Sequence, residues 1–250
     1  MTAFQVELDH ISMTYQSPST ETEAIADVCL GITQGEFVSI VGPSGCGKST
    51  LLDIICGLVK PTQGSVRLQR PAGYMLQRDY LLEWRTIRQN CLLGPELQKH
   101  KMKEIRPYVE HLLETYGLAE FADHYPRQLS GGMRQRAALI RTLALKPDVL
   151  LLDEPFSALD YQTRLAVVDD VWDILRKENK TVILVTHDIA EAISMSDRVV
   201  VLTARPARVK IIYQVKFSTA DPPLQRRQDE KFRIYFDAIW KELDIYVSLS

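Results

Sequence analysis

The chain lacks several features that would each have set its class. It has no apolar run long enough to cross a bilayer, which takes about 20 consecutive apolar residues. The opening "MTAFQVELDH" carries acids where a secretion signal has an apolar stretch, so a cytosolic location is expected. The four cysteines, Cys29, Cys46, Cys56 and Cys91, form no C-x-x-C pair and no metal-ligand spacing. Reduced thiols are expected rather than a disulfide framework. Positive charge is not in excess: 30 Lys+Arg stand against 32 Asp+Glu, a net charge of −2, and nothing marks a global nucleic-acid footprint. Internal repeats, low-complexity tracts and heptad runs are also absent, which argues against a coiled coil.

What is present is 46% hydrophobic residues over 250 positions, enough for one large domain or one domain with a subdomain inserted. "FQVELDHISMTY" and "EAIADVCLGIT" alternate apolar and polar residues, as antiparallel strands with one wet face do. "FVSIVG", "VLLLDE" and "TVILVTHD" are continuous apolar runs, each followed by a turn and a helical pattern. They predict central strands of a parallel sheet covered on both faces. Between Arg78 and Gln128 no strand run occurs, and "KMKEIRPYVEHLLETYGL" has helical periodicity, so a helical insertion is expected there. Strands return with "RVVVLTA" and "RVKIIYQVKF". A polar stretch, "STADPPLQRRQDE", then leads to a last helix whose Phe232, Phe236, Ile239 and Leu243 share one face. That face reads as core or dock. Arg226 and Arg227 are expected in an ordinary solvated loop, with phospholipid head groups as the other reading.

Three strand ends carry chemistry. "GPSGCGKST", Gly42 to Thr50, fits G-x-x-x-x-G-K-[ST] between a strand and a helix, the context a phosphate-binding loop requires. Gly42, Gly45 and Gly47 let the backbone wrap closely around phosphates, while successive N–H groups and the helix N-terminus form an anion cradle. Pro43, Ser44, Cys46 and Thr50 complete the loop, with Cys46 as a spectator. Lys48 is expected to reach the β/γ-phosphates and Ser49 to hold Mg²⁺. "VLLLDEP" ends in Asp153 and Glu154: downstream of such a loop, the first is expected to hold the metal and the second to orient and deprotonate water. His187 closes "TVILVTHD" and is expected near the γ-phosphate, because ligands of open α/β sheets bind at the carboxyl ends of strands.

Together with further motifs, these residues resemble the ATP-binding subunits of ABC transporters over nearly the whole chain. The resemblance rests on Tyr15 in "ISMTY" where the family stacks adenine, Gln77 in "GYMLQRDYLLEWRT", "LSGGMRQR" from Leu129 to Arg136, "SALD" from Ser157 to Asp160, and His187. It implies an α/β fold: a P-loop NTPase (RecA-like) core with an antiparallel β subdomain and an inserted α-helical subdomain. The expected division within the single domain 1–250 is residues 1–77 for the β subdomain and first core part, 78–135 for the helical subdomain, 136–204 for the rest of the core, and 205–250 for C-terminal strands and a docking helix. It further implies ATP and Mg²⁺ as cofactors, with Ser49, Gln77 and Asp153 on the metal. Gln77 also senses the γ-phosphate. Two copies pair head to tail, so that Ser130, Gly131, Gly132 and Asp160 serve the ATP of the partner subunit. Ser130 is placed to cap the helix behind it, and the two glycines leave backbone N–H groups bare for an anion. Met133 stands where the family usually has Gln.

"YLLEWRTIRQN" and "VLTARPARV" resemble the nitrate/sulfonate/taurine importers and the related thiamine-precursor ATPases. The implied partners are two transmembrane permease subunits and, indirectly, an extracytoplasmic solute-binding protein, with no nucleic acid. The implied location is the cytoplasmic face of a bacterial membrane. Leu81, Leu82 and Trp84 fit a dock for a permease helix, and packing within the helical insertion is the alternative for Trp84. Glu83 is given no functional weight. At least one of Arg134 and Arg136 is expected to be a solvated helix charge. A soluble ABC-type ATPase acting on DNA or ribosomes is the alternative to transport, although such proteins usually carry long coiled coils or two cassettes.

Overall fold

The computed structural model describes residues 4–17, 20–157, 159–217 and 221–243. Ala158 of "SALD", residues 218–220 of the polar stretch and residues 244–250 lie outside the described residues. The two alternating stretches form β1 (Val6–Gln16) and β2 (Glu21–Ile32), paired antiparallel from Val6 opposite Ile32 to Gln16 opposite Glu21. β3 (Phe37–Val41) leads through the phosphate-loop sequence into α1 (Lys48–Cys56). β4 (Gln63–Leu68) then returns to the free edge of β1, giving a three-stranded sheet in the order β2-β1-β4. β5 (Ala72–Met75) enters a second sheet.

Four helices follow: α2 (Ile87–Cys91), α3 (Leu93–Leu97), α4 (Met102–Thr115) and α5 (Gly131–Leu143). The chain then alternates as β6 (Val149–Asp153), α6 (Tyr161–Lys177), β7 (Thr181–Val185), α7 (Ile189–Met195) and β8 (Arg198–Leu202). It closes with β9 (Val209–Gln214), α8 (Pro223–Arg226) and α9 (Glu230–Glu242).

The second sheet has six strands in the order β5-β6-β7-β3-β8-β9, parallel throughout except for β9, which runs antiparallel to β8. Every residue of β3, β6 and β7 is buried, as continuous apolar runs demand. Because these three strands are parallel neighbours, their carboxyl ends open on the same edge. That places the phosphate loop, the Asp153–Glu154 pair and His187 side by side.

Three apolar clusters support this edge. Phe37, Met75, Leu139, Leu152 and Trp172 pack with the helices of the insertion and with α6. Ile11, Ile25, Leu52 and Val185 fill the space between the two sheets. Ile189, Ile193 and Val201 receive α9 through Ile239, with Phe232, Phe236 and Leu243 packed around it. The shared face of the last helix therefore docks on this chain's own core.

The reading of Arg226 as a solvated loop residue is corrected. It ends α8 at 3% exposure, and its guanidinium lies 4.8 Å from the Trp172 ring and 5.6 Å from the Phe217 ring. It donates to the carbonyls of Asp221 and Ser194 at 2.8 and 3.1 Å. Aromatic faces and carbonyls replace water around the charge. Burial, and then repulsion from Arg176, still push its pKa down to about 10.

Candidate functional site

After β3 the backbone turns through left-handed conformations that only glycine adopts without strain: φ is +73° at Gly45 and +124° at Gly47. A side chain on Gly47 would also meet the Ala24 carbonyl of β2 at 3.1 Å. Gly47 caps α1 with no side-chain bond, so the first-turn N–H groups of that helix are left to a ligand. Lys48 is 7% exposed, and its Nζ donates to the carbonyls of Gly42 and Pro43 at 2.8 and 3.1 Å. The cleft over this turn has a volume of about 250 Å³ and is lined by Ser44, Gly45, Gly47, Lys48, Ser49, Thr50, Glu154 and Arg205. Cys46 is buried under the loop and packs toward Gly42, away from the lining. Tyr15 stands exposed near the end of β1, its hydroxyl donating to Thr50 Oγ1 at 3.5 Å.

β7 separates β6 from β3, yet Asp153 still reaches across to a hydrogen bond with Ser49. Burial raises the Asp153 pKa; the Ser49 bond opposes the shift, and the neighbouring Glu154 charge adds to it. Glu154 leaves the strand with φ +45°, and its amide donates to the Val185 carbonyl at 2.8 Å. This turn brings its carboxylate to a point where two distant residues meet. Glu154 Oε2 accepts from Gln77 Nε2 at 3.2 Å and lies 3.1 Å from His187 Nδ1. Residues from three separate strand ends thus converge on one carboxylate oxygen above the Lys48 loop.

Ser130, Gly131, Gly132 and Asp160 do not line this cleft. Ser130 caps α5, its Oγ accepting from the Met133 amide at 3.4 Å. Gly131 and Gly132 differ. A side chain on Gly131 would meet only Leu159, at 3.6 Å, whereas on Gly132 it would press on Thr163 of α6 at 2.9 Å and Val167 at 3.3 Å. Gly132 is therefore also a packing residue. Asp160 is exposed and caps α6, accepting from the Thr163 amide at 3.0 Å.

Neither Arg134 nor Arg136 is a solvated charge, contrary to expectation. Arg134 makes a two-pronged bond to Asp79 at 3.0 and 3.2 Å and lies 3.6 Å from Glu83. Arg136 donates to the Tyr116 carbonyl at 3.2 Å. Arg141 donates to the carbonyls of Asp79 and Tyr80 at 2.6 and 2.8 Å, so the segment after Gln77 is fastened to α5. On that segment Leu81 is buried but Trp84 is 73% exposed, which excludes packing of Trp84 within the insertion. Arg205 was not among the expected site residues; its only sequence signal is its place in "VLTARPARV".

A family model described as ABC transporter matches residues 25–157, from β2 through the acid pair. The chain belongs to the ABC transporter family. The cassette is 44% identical over 248 residues to the ABC transporter ATP-binding protein YtlC of Bacillus subtilis, a match covering 96% of this chain and 95% of that one. It is 38% identical to the taurine import ATP-binding protein TauB of Jannaschia sp., over 89% of this chain and 86% of that one. Among solved structures, the ATP-binding cassette MJ0796, a dimer in a post-hydrolysis state bound to ADP and Pi, superposes with a TM-score of 0.73 at 33% identity. That match covers 85% of this chain and 99% of the other. The protein is accordingly an ATP-binding ABC ATPase with the P-loop NTPase fold.

Proposed function

We propose that this cassette hydrolyses MgATP as a head-to-tail homodimer and drives an importer for a small solute. The solute class is the nitrate/sulfonate/taurine or thiamine-precursor type, which the taurine-import relative supports. The observation that carries the reading is the division of the site. Glu154, Gln77 and His187 converge over the Lys48 loop, while the Ser130 cap and its glycines stand apart on α5. A second copy, turned head to tail, supplies the missing half.

Within one site, the Lys48 ammonium offsets charge on the β/γ-phosphates, and Glu154 orients and deprotonates the attacking water. His187 holds the γ-phosphate, Tyr15 stacks adenine, and Gln77 reports on the γ-phosphate. A metal ion fits here: the buried Asp153 carboxylate accepts from the Ser49 hydroxyl, and burial raises its pKa even with the Lys48 charge nearby, so a further cation would favour its charged form. Ser49, Gln77 and Asp153 would hold Mg²⁺, which supplies charge neutralisation on the phosphate oxygens when bound.

The dock for the permease is the Gln77 segment. Trp84 and Tyr80 are exposed there, and Asp79 and Glu83 tie the segment to Arg134, one turn into α5. Motion of the permease is thereby passed to the helix that carries the signature. Among the described residues no helix is long and apolar enough to cross a membrane, so the pore belongs to two separate permease subunits, fed by an extracytoplasmic solute-binding protein. The cassette then sits on the cytoplasmic face of the membrane. In this account residues 78–135 form the helical subdomain, with the core on either side.

Co-purification from membranes tests this reading. The wild type is expected to carry a multi-span membrane protein with it, and Trp84→Glu to lose that partner while keeping its melting temperature. A wild type that brings down nucleic acid and no membrane protein would reverse the reading in favour of a soluble ATPase.

A further inference from the structure

We infer that Arg205 is a second cation for the nucleotide's phosphate chain, acting beside Lys48 in affinity for MgATP and MgADP. The inference rests on the reading of the Lys48 cleft as the nucleotide site. Arg205 lies outside the span matched by the family model, residues 25–157, and belongs to no catalytic motif. It is nevertheless one of the two cationic residues, with Lys48, that line the cleft.

The placement is built rather than incidental. Arg205 sits in the turn between β8 and β9, and that turn is closed on itself. Thr203 N donates to the Arg208 carbonyl at 3.0 Å, the Arg208 amide to Thr203 Oγ1 at 3.0 Å, and Thr203 Oγ1 to the Pro206 carbonyl at 3.1 Å. The turn is also stitched to β2: the Ala207 amide donates to the Ala24 carbonyl, and the Ala26 amide to the Ala207 carbonyl, both at 2.9 Å. The same Ala24 carbonyl is the atom that a side chain on Gly47 would meet at 3.1 Å. One stretch of β2 thus fixes both the phosphate loop and the turn that presents Arg205 to it.

Donor accounting leaves the guanidinium ready for a ligand. It has five N–H donors, and among the described residues one hydrogen bond holds it, from Nη2 to the Gly45 carbonyl at 2.6 Å. Arg134, Arg164 and Arg176 each face a carboxylate at 3.4 Å or less, whereas Arg205 makes no ion pair among the described residues. The cleft itself is short of positive charge. Glu154 lines it and Asp153 bonds to Ser49 of its lining, so the two carboxylates match or exceed Lys48 alone, and a triphosphate adds further negative charge. A planar fork with free donors at the rim of such a cleft suits phosphate oxygens.

The competing role is a brace, in which Arg205 does no more than steady Gly45. Equilibrium binding of MgADP and steady-state MgATP turnover, measured on wild type, Arg205→Ala and Arg205→Lys beside their thermal melts, separate the two. The expected result for Arg205→Ala is a Kd for MgADP and a KM for MgATP raised about tenfold, with kcat within about twofold and an unchanged melt. Arg205→Lys should recover much of the affinity because it keeps the charge. The inference is overturned if both constants stay within about twofold of wild type. It is equally overturned if affinity falls together with the melting temperature and lysine restores neither, which is the signature of a brace. A wild type that fails to bind MgADP would instead remove the nucleotide reading of the cleft, a result independent of Arg205.

Discussion

Glu154 occupies a left-handed backbone conformation, φ +45°, that costs a residue with a side chain on the order of 1 kcal/mol or more. In exchange the carboxylate swings out of the strand line and meets Gln77 and His187. A second unusual carboxyl lies on α7. Glu191 on α7 is 3% exposed, and burial, with the nearby Asp188 charge, pushes its pKa from 4.5 up to about 7, against the Thr186 hydroxyl at 2.8 Å and Arg164 at 3.9 Å. The folded protein therefore keeps a proton that the unfolded chain releases in this range. Stability conferred by that proton is complete below pH 4.5, declines as pH rises, and is lost above about 7. Glu191→Gln keeps the shape and removes the ionisation. Urea unfolding is expected to show the variant gaining on wild type by on the order of 2 kcal/mol between pH 5 and pH 8; parallel curves would contradict it. At this scale the phosphate loop, the acid pair and His187 are legible in sequence because each is a local motif at the end of an apolar run. Arg205 is not, because its place depends on a contact with Gly45, 160 positions away.

At the scale of elements, the buried strands and the regularly alternating β1, β2 and β9 are readable in sequence, while β4 and β5 are not. β3, β6 and β7 announce themselves as unbroken apolar runs. β4 is largely exposed and begins beside Gly64, whose φ of +86° and lack of room for any side chain against the His10 carbonyl come from pairing with β1 rather than from any local pattern. β5 is four residues long, too short for a period to show. The start of α5 carries two glycines with different duties. Gly132→Ala drives a methyl into Thr163 and Val167 of α6 and is expected to cost about 1–3 kcal/mol in a thermal melt. Gly131→Ala meets little and is expected to melt as wild type or higher, since alanine favours helix by up to about 1 kcal/mol. Its phosphate-release rate should still fall, because in the proposed head-to-tail dimer the bare backbone there would face the partner's nucleotide and is then covered. Equal melts for the two variants would refute the packing role of Gly132. Sequence alone marks both glycines as unusual in a helix; only the position of α6 tells them apart.

For the whole molecule, the ABC resemblance was legible because its motifs occur in a fixed order, and the family match, the full-length relative and the superposed cassette agree with it. The linkage between the motifs was not legible, since it runs through side chains far apart in the chain. Asp79 and Arg134 join the Gln77 segment to the signature helix, and Arg164 joins the Asp160 cap region to Asp188 beside His187, through Leu159 O at 3.0 Å and Asp188 at 3.4 Å. The Gln77 segment and the start of α5 are thus tied within one chain, as are the Asp160 cap and the His187 strand end, and in the proposed head-to-tail dimer nucleotide held between two copies would be felt by both. The most direct test is light scattering of Glu154→Gln with MgATP. The account predicts a particle of twice the 28.5 kDa chain mass that forms with MgATP, persists without turnover and reverts to single chains when nucleotide is removed. A variant that stays at 28.5 kDa in saturating MgATP, or that hydrolyses it at the wild-type rate, would contradict it.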